Sequence, residues 1–124
     1  MILLRVIAVL VGATGITHGV QAFFGAQPGG DPLMLVGEHT VVCVLGLFAA
    51  YGLWRGLRWA PAALAVFGLV VAALIVSLGP LLSLPRPARS GLWSGAVVLL
   101  VITGLAVWYA QRRIAASQPL RASG

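Results

Sequence analysis

The sequence predicts an all-α membrane protein, a bundle of four spanning helices running up-down-up-down, and three observations predict it. First, the chain of 124 residues is 60% hydrophobic and 8% charged, with a mean hydropathy of +1.06, whereas soluble domains carry about 25% charged residues. Second, stretches free of charge cover 6–30, 59–85 and 90–111, and a fourth, 32–54, is interrupted only by Glu38. Each reaches the ~20 residues a helix needs to cross ~30 Å of hydrocarbon. Third, the eight basic residues are all arginine and lie around the edges of these stretches. They mark boundaries and form no nucleic-acid-binding patch, so nucleic acid is not an expected partner and the lipid bilayer is.

The first helix is expected over about 4–25. Arg5, the apolar run from Val6 and the small-residue ending Val20-Gln21-Ala22 also fit, loosely, the regions of a signal peptide. Cleavage would leave a mature chain starting at Phe23, which an intact-mass measurement would reveal. Residues 26–32 combine Pro28, Gly29, Gly30, Asp31 and Pro32, the composition of a turn. A second helix is expected over about 33–54. The link Arg55-Gly56-Leu57-Arg58 suits only a tight antiparallel return into a third helix over about 59–79, with Pro61 in a first turn that tolerates its missing N–H. Gly79-Pro80 is expected to close that helix, and 81–90, with Pro85 and Pro87, to form a longer connection. The fourth helix is expected over about 91–110, followed by a disordered basic tail over 111–124.

Arginine placement sets the orientation. Four crossings put the N-terminus, the 55–58 link and the tail on one face with six arginines, against two on the other. The positive-inside bias makes both termini cytoplasmic. Tyr51, Trp54, Trp59, Trp108 and Tyr109 form an inner aromatic belt in this reading, and Phe23, Phe24 and Trp93 lie near the outer boundary.

The chemistry-bearing residues cluster in the first two helices. Counting back from the outer ends at 1.5 Å per residue, His18, Glu38 and His39 lie about 7–11 Å deep. An ionisable group at membrane depth is costly enough to be a functional candidate by default, and Glu38 is one of two acids in the chain. Glu38 and His18 are the candidate catalytic groups, with His39, Gln21 and Thr14 as candidate ligand-binding groups. Thr14, Thr17, His18 and Gln21 share a helix face, expected to point into the bundle because its polar atoms find no partner in lipid. Either Glu38 exchanges a proton or pairs with His18, or it is a neutral acid pinning two helices together. Gly15-x-x-x-Gly19 has the spacing that lets backbones approach closely. His39 and Cys43 are four residues apart, but no HxxxH or CxxC accompanies them and no metal site is expected. A single cysteine excludes an intrachain disulfide. No phosphate-cradling loop, Ser-His-Asp grouping or carboxylate pair is present.

Leu3-Leu4-Arg5 followed by His18-Gly19-Val20-Gln21-Ala22-Phe23-Phe24-Gly25, then Gly37-Glu38, Leu45-Gly46-Leu47, Gly52-Leu53-Trp54-Arg55 and Arg58-Trp59-Ala60, resembles the DoxX-like family of membrane proteins over about 3–75. The interval from Arg5 to His18 is longer than is usual there, and Ala22 stands where a Lys is common. The resemblance implies a small four-helix protein of the bacterial inner membrane. Some relatives associate with redox enzymes, including a thiosulfate:quinone oxidoreductase.

Three functions remain open at this stage. One is an accessory subunit of a membrane redox or stress-response complex, with a polar pocket between the first two helices binding a quinone-like ligand; no other cofactor is implied, and a stand-alone enzyme is not expected. Its roles would be Glu38 as proton acceptor, His18 and His39 as donors or relay, and Gln21 as an orienting group. The others are a scaffold whose polar cluster only locks helices, and a small proton-coupled transporter acting as a homodimer.

Overall fold

The structure is a computed structural model that describes residues 1–27, 33–81, 83 and 85–117. It is all-helical, with α1 at Ile2–Gly25, α2 at Leu33–Arg55, α3 at Ala60–Leu81 and α4 at Arg86–Ala116. All four are long and apolar enough to cross a membrane. The expected turn at Pro28–Pro32 and the last seven residues of the expected tail lie outside the described residues.

Two boundaries differ from expectation, and both lengthen α4. Arg86–Ser90 belongs to the helix, not to the connection: Pro87 occupies a first-turn position, where its missing N–H removes no helical bond. At the other end Gln111–Ala116 continues the helix instead of joining a disordered tail. Gln, Arg and Ala are strong helix formers, and Arg112 and Arg113 each lie over the aromatic ring four residues earlier, 4.4 Å from the Trp108 centroid and 5.6 Å from that of Tyr109. Polarity there does not end the helix. A smaller difference falls in α3, which contains Pro80 in its last turn and ends two residues later than the Gly-Pro pair suggested.

The α2–α3 return is as tight as the sequence implied. Gly56 adopts φ +64°, the left-handed conformation that ends many helices. The amide of Leu57 donates to the Gly52 carbonyl at 2.9 Å and that of Gly56 to Leu53 at 3.2 Å, the paired bonds of a Schellman cap.

Packing runs along the chain, α1 on α2, α2 on α3 and α3 on α4. Between α1 and α2 the order of contacts is reversed: Arg5 meets Trp54, Gly12 faces Ala50, and Gly15 faces Gly46 and Leu47. One core cluster gathers the start of α1 (Leu4, Ala8, Val11), α2 (Val42, Ala49, Leu53), the start of α3 (Ala60, Leu64, Phe67) and the end of α4 (Ala110, Ile114). No polar side chain among the described residues is fully buried. Outside this core the large apolar side chains are exposed in number, among them Val98, Val101, Ile102 and Leu105 of α4. Soluble monomers rarely expose apolar surface on this scale, and it suits helices surrounded by lipid.

Candidate functional site: a histidine pair between α1 and α2

The site begins with glycine. Ideal Cβ atoms placed on Gly15 would stand 3.1 Å from the Cys43 carbonyl oxygen, and on Gly46 3.0 Å from the Gly15 Cα and 3.2 Å from the Val11 carbonyl oxygen. Two helix backbones are therefore in direct contact, which only residues without side chains permit. One turn further along, a Cβ on Gly19 would stand 2.7 Å from the Cys43 Sγ, so the thiol fills the space left by that glycine. The expected Gly15-x-x-x-Gly19 approach is the seam between α1 and α2.

This approach brings the imidazoles of His18 and His39 into contact across the seam. Their Nδ1 atoms are 2.8 Å apart, a hydrogen bond, and the ring centroids lie 5.0 Å apart with the planes tilted by 38°. Both rings are half-buried. Their contact puts the two side chains at one level of the α1–α2 pair.

The other candidates take different positions. Glu38 precedes His39 in α2, half-buried, and no hydrogen bond or ion pair joins it to the described residues. Thr14, Thr17 and Gln21 are exposed, so the polar face of α1 does not point into the bundle as expected. The buried stripe of α1 is Leu4, Ala8, Val11 and Gly15; it passes on one side of His18, and the hydroxyl and amide residues pass on the other. The physical reason is local satisfaction. The Thr14 hydroxyl donates to the Leu10 carbonyl at 3.0 Å and that of Thr17 to Ala13 at 2.9 Å, so neither requires a partner on another helix. Thr40 does the same on α2, with Val36 at 2.7 Å. Cys43 sits deeper, against Gly19, and among the described residues no three His, Cys, Asp or Glu side chains converge as metal ligands.

The chemistry of the pair follows from its geometry. Two Nδ1 atoms in mutual hydrogen bond share one hydrogen between them, so one neutral ring is the Nδ1–H tautomer and the other carries its hydrogen on Nε2. The outer nitrogens then differ: the first ring presents an accepting Nε2, the second a donating one. Shifting the shared hydrogen, with gain of a proton at one Nε2 and loss at the other, exchanges the roles. Among the described residues neither Nε2 has a hydrogen-bond partner. The sequence places His18 and Gln21 to face Glu38 and His39; the structure brings the two histidines together and leaves Gln21 exposed, and the residue that sets this approach is Gly46, the small residue of α2 that faces Gly15.

Fold and site together define a class, an all-helical protein with four helices able to cross a membrane and a histidine pair near one end of the first two. No protein-family model, curated protein or solved structure matches the chain.

Proposed function

We propose that the chain is a multi-pass protein of the bacterial inner membrane, DoxX-like, running up-down-up-down with both termini cytoplasmic. In this reading it serves as an accessory subunit of a redox or stress-response complex, in which the His18–His39 pair binds a quinone-like ligand and handles its proton. The observation that carries the reading is the 2.8 Å Nδ1–Nδ1 bond, because it leaves one donating and one accepting Nε2 on the outer edges of the pair. A quinone carbonyl accepts from the donor, and a quinol hydroxyl donates to the acceptor. Glu38, beside His39 and without a bonded partner among the described residues, is the proton acceptor at the edge of the pair. Electrons for quinone reduction come from the partner subunit, since the chain itself offers no redox group beyond one thiol.

The scaffold reading draws on a different observation, the backbone contact of Gly15 with Gly46, which would lock α1 to α2 whatever the histidines do. The two readings separate by purification from native membranes in mild detergent, followed by mass spectrometry of bound small molecules and co-purified proteins. A quinone recovered with the unaltered protein and lost in His39→Phe supports the redox-accessory reading. Recovery of the protein alone and ligand-free sinks it and favours the scaffold.

A further inference from the structure

At the opposite end of the α1–α2 pair from the histidines, a groove of about 440 Å³ is lined by Ile2, Arg5, Val6, Val9, Leu10 and Trp54. Its volume falls in the range of small-molecule sites, ~300–1,000 Å³. The α1 residues recur at helical spacing on one face, so the walls extend about 12 Å along the axis from Ile2 to Leu10. All are apolar except one. The Arg5 guanidinium lies 5.3 Å from the Trp54 ring centroid, a cation–π placement that uses its flat face and leaves edge N–H groups as donors.

Among the described residues, the charged side chains at this end have one sign. Arg5 meets Trp54, next to Arg55, and the core cluster that holds Leu4 and Ala8 also holds Ala49, Leu53, Ala60, Ala110 and Ile114, which places Arg55, Arg58, Arg112 and Arg113 at the same end as Arg5. Glu38, the one acid among the described residues, lies in the second turn of α2, at the other end of that helix. An apolar channel leading along a helix from one fixed guanidinium, in an end where the described side chains include arginine and no carboxylate, complements a molecule with an anionic head and a hydrocarbon tail. The hollow near the far end of α3, lined by Val76, Pro80, Arg89, Leu92 and Trp93, is only about 150 Å³, too small for an acyl chain of comparable reach.

We propose that the Arg5–Trp54 groove binds one anionic phospholipid, its phosphate on the edge of the Arg5 guanidinium and one acyl chain along Val6, Val9 and Leu10. The test uses the full chain in nanodiscs of equal phosphatidylglycerol and phosphatidylcholine, released into mild detergent and weighed intact by native mass spectrometry. The unaltered chain retains one phosphatidylglycerol in preference to phosphatidylcholine. Arg5→Gln lowers that retention about fivefold, the effect of one arginine near an anionic membrane surface. Val9→Trp, which fills the groove, lowers it too, whereas Arg112→Gln, which removes the same charge from the same end outside the groove, leaves it unchanged. Equal retention of the two lipids by the unaltered chain overturns the proposal without recourse to any variant. So does an Arg112→Gln loss as large as that of Arg5→Gln, which would make the attraction diffuse, and so does displacement by millimolar glycerol phosphate, which would make the site one for a soluble phosphate.

Discussion

Replacing Gly46 with leucine tests whether the histidine pair depends on the glycine seam. Even the first carbon of a side chain at Gly46 would stand 3.0 Å from the Gly15 Cα, 3.1 Å from the Phe67 ring and 3.2 Å from the Val11 carbonyl oxygen. Ordinary contacts of a Cβ begin at 3.4 Å, and two of these neighbours are backbone that cannot rotate away. Restoring an ordinary distance to Gly15 for that one carbon moves α1 from α2 by 3.4 minus 3.0, or 0.4 Å, and the rest of a leucine moves it further. The same displacement applied to the imidazoles stretches their 2.8 Å bond to about 3.2 Å or beyond, the outer limit for N–H···N bonding. Overpacking costs about 1–3 kcal/mol and a lost polar contact between membrane helices about 0.6–1.7 kcal/mol, so Gly46→Leu should lose about 2–5 kcal/mol. Denaturation by sodium dodecyl sulfate in mixed micelles, followed by tryptophan fluorescence, measures the loss. Gly95→Leu is the control, because a Cβ there meets nothing within 4 Å, and its effect should stay within about 0.5 kcal/mol. Equal midpoints for the two variants would refute the seam as the determinant of the site.

Further outcomes follow from other contacts. His18→Phe and His39→Phe, combined in a double-mutant cycle, should show a coupling of about 0.6–1.7 kcal/mol; no measurable coupling in the same denaturation assay would mean that the bond is not formed in the bilayer. Gly56→Ala should destabilise by about 1–2 kcal/mol through its φ of +64° alone, since a Cβ there meets no neighbour, and Gly56→Asn should recover part of the loss. Gly68 packs directly on the side chain of Thr103, so Gly68→Ala should lower the midpoint and Thr103→Ala, which removes the two nearer atoms and keeps the Cβ at 3.0 Å, should restore part of it. Two separate losses that simply add would contradict that contact.

The sequence was most legible where a single physical requirement dominated. Crossing a bilayer demands about 20 apolar residues, and the cores of α1, α2 and α3 could be placed from that demand to within a few residues. The ends of α4 were less legible. Helices outlast the hydrocarbon, and nothing in the charge of Arg86, Arg112 or Arg113 distinguishes a solvated helical turn from a loop. The site shows the same division. His18 and His39 stood out as polar groups in apolar helices, and counting residues put them at one level. The inward face of α1 was not legible: His18 and Gln21 argue for turning the whole polar face into the bundle, yet only His18 meets α2, Gln21 is exposed, and Thr14 and Thr17 bond to carbonyls of their own helix. The glycines carried the orientation instead: Gly15 has no side chain to bury, and what it permits becomes visible only when Gly46 is set against it.

The protein contains two histidines, so the nitrogen spectrum of its imidazoles belongs entirely to the site. Solid-state NMR of ¹⁵N-histidine-labelled protein in lipid bilayers, recorded before and after adding a short-chain quinone, tests the pair and its proposed ligand together. A shared hydrogen predicts coupling between the two Nδ1 atoms, rings in different tautomers, and a shift of the Nε2 signals when the quinone binds. Uncoupled rings, or a spectrum that the quinone leaves unchanged, would contradict the assignment of proton handling to His18 and His39.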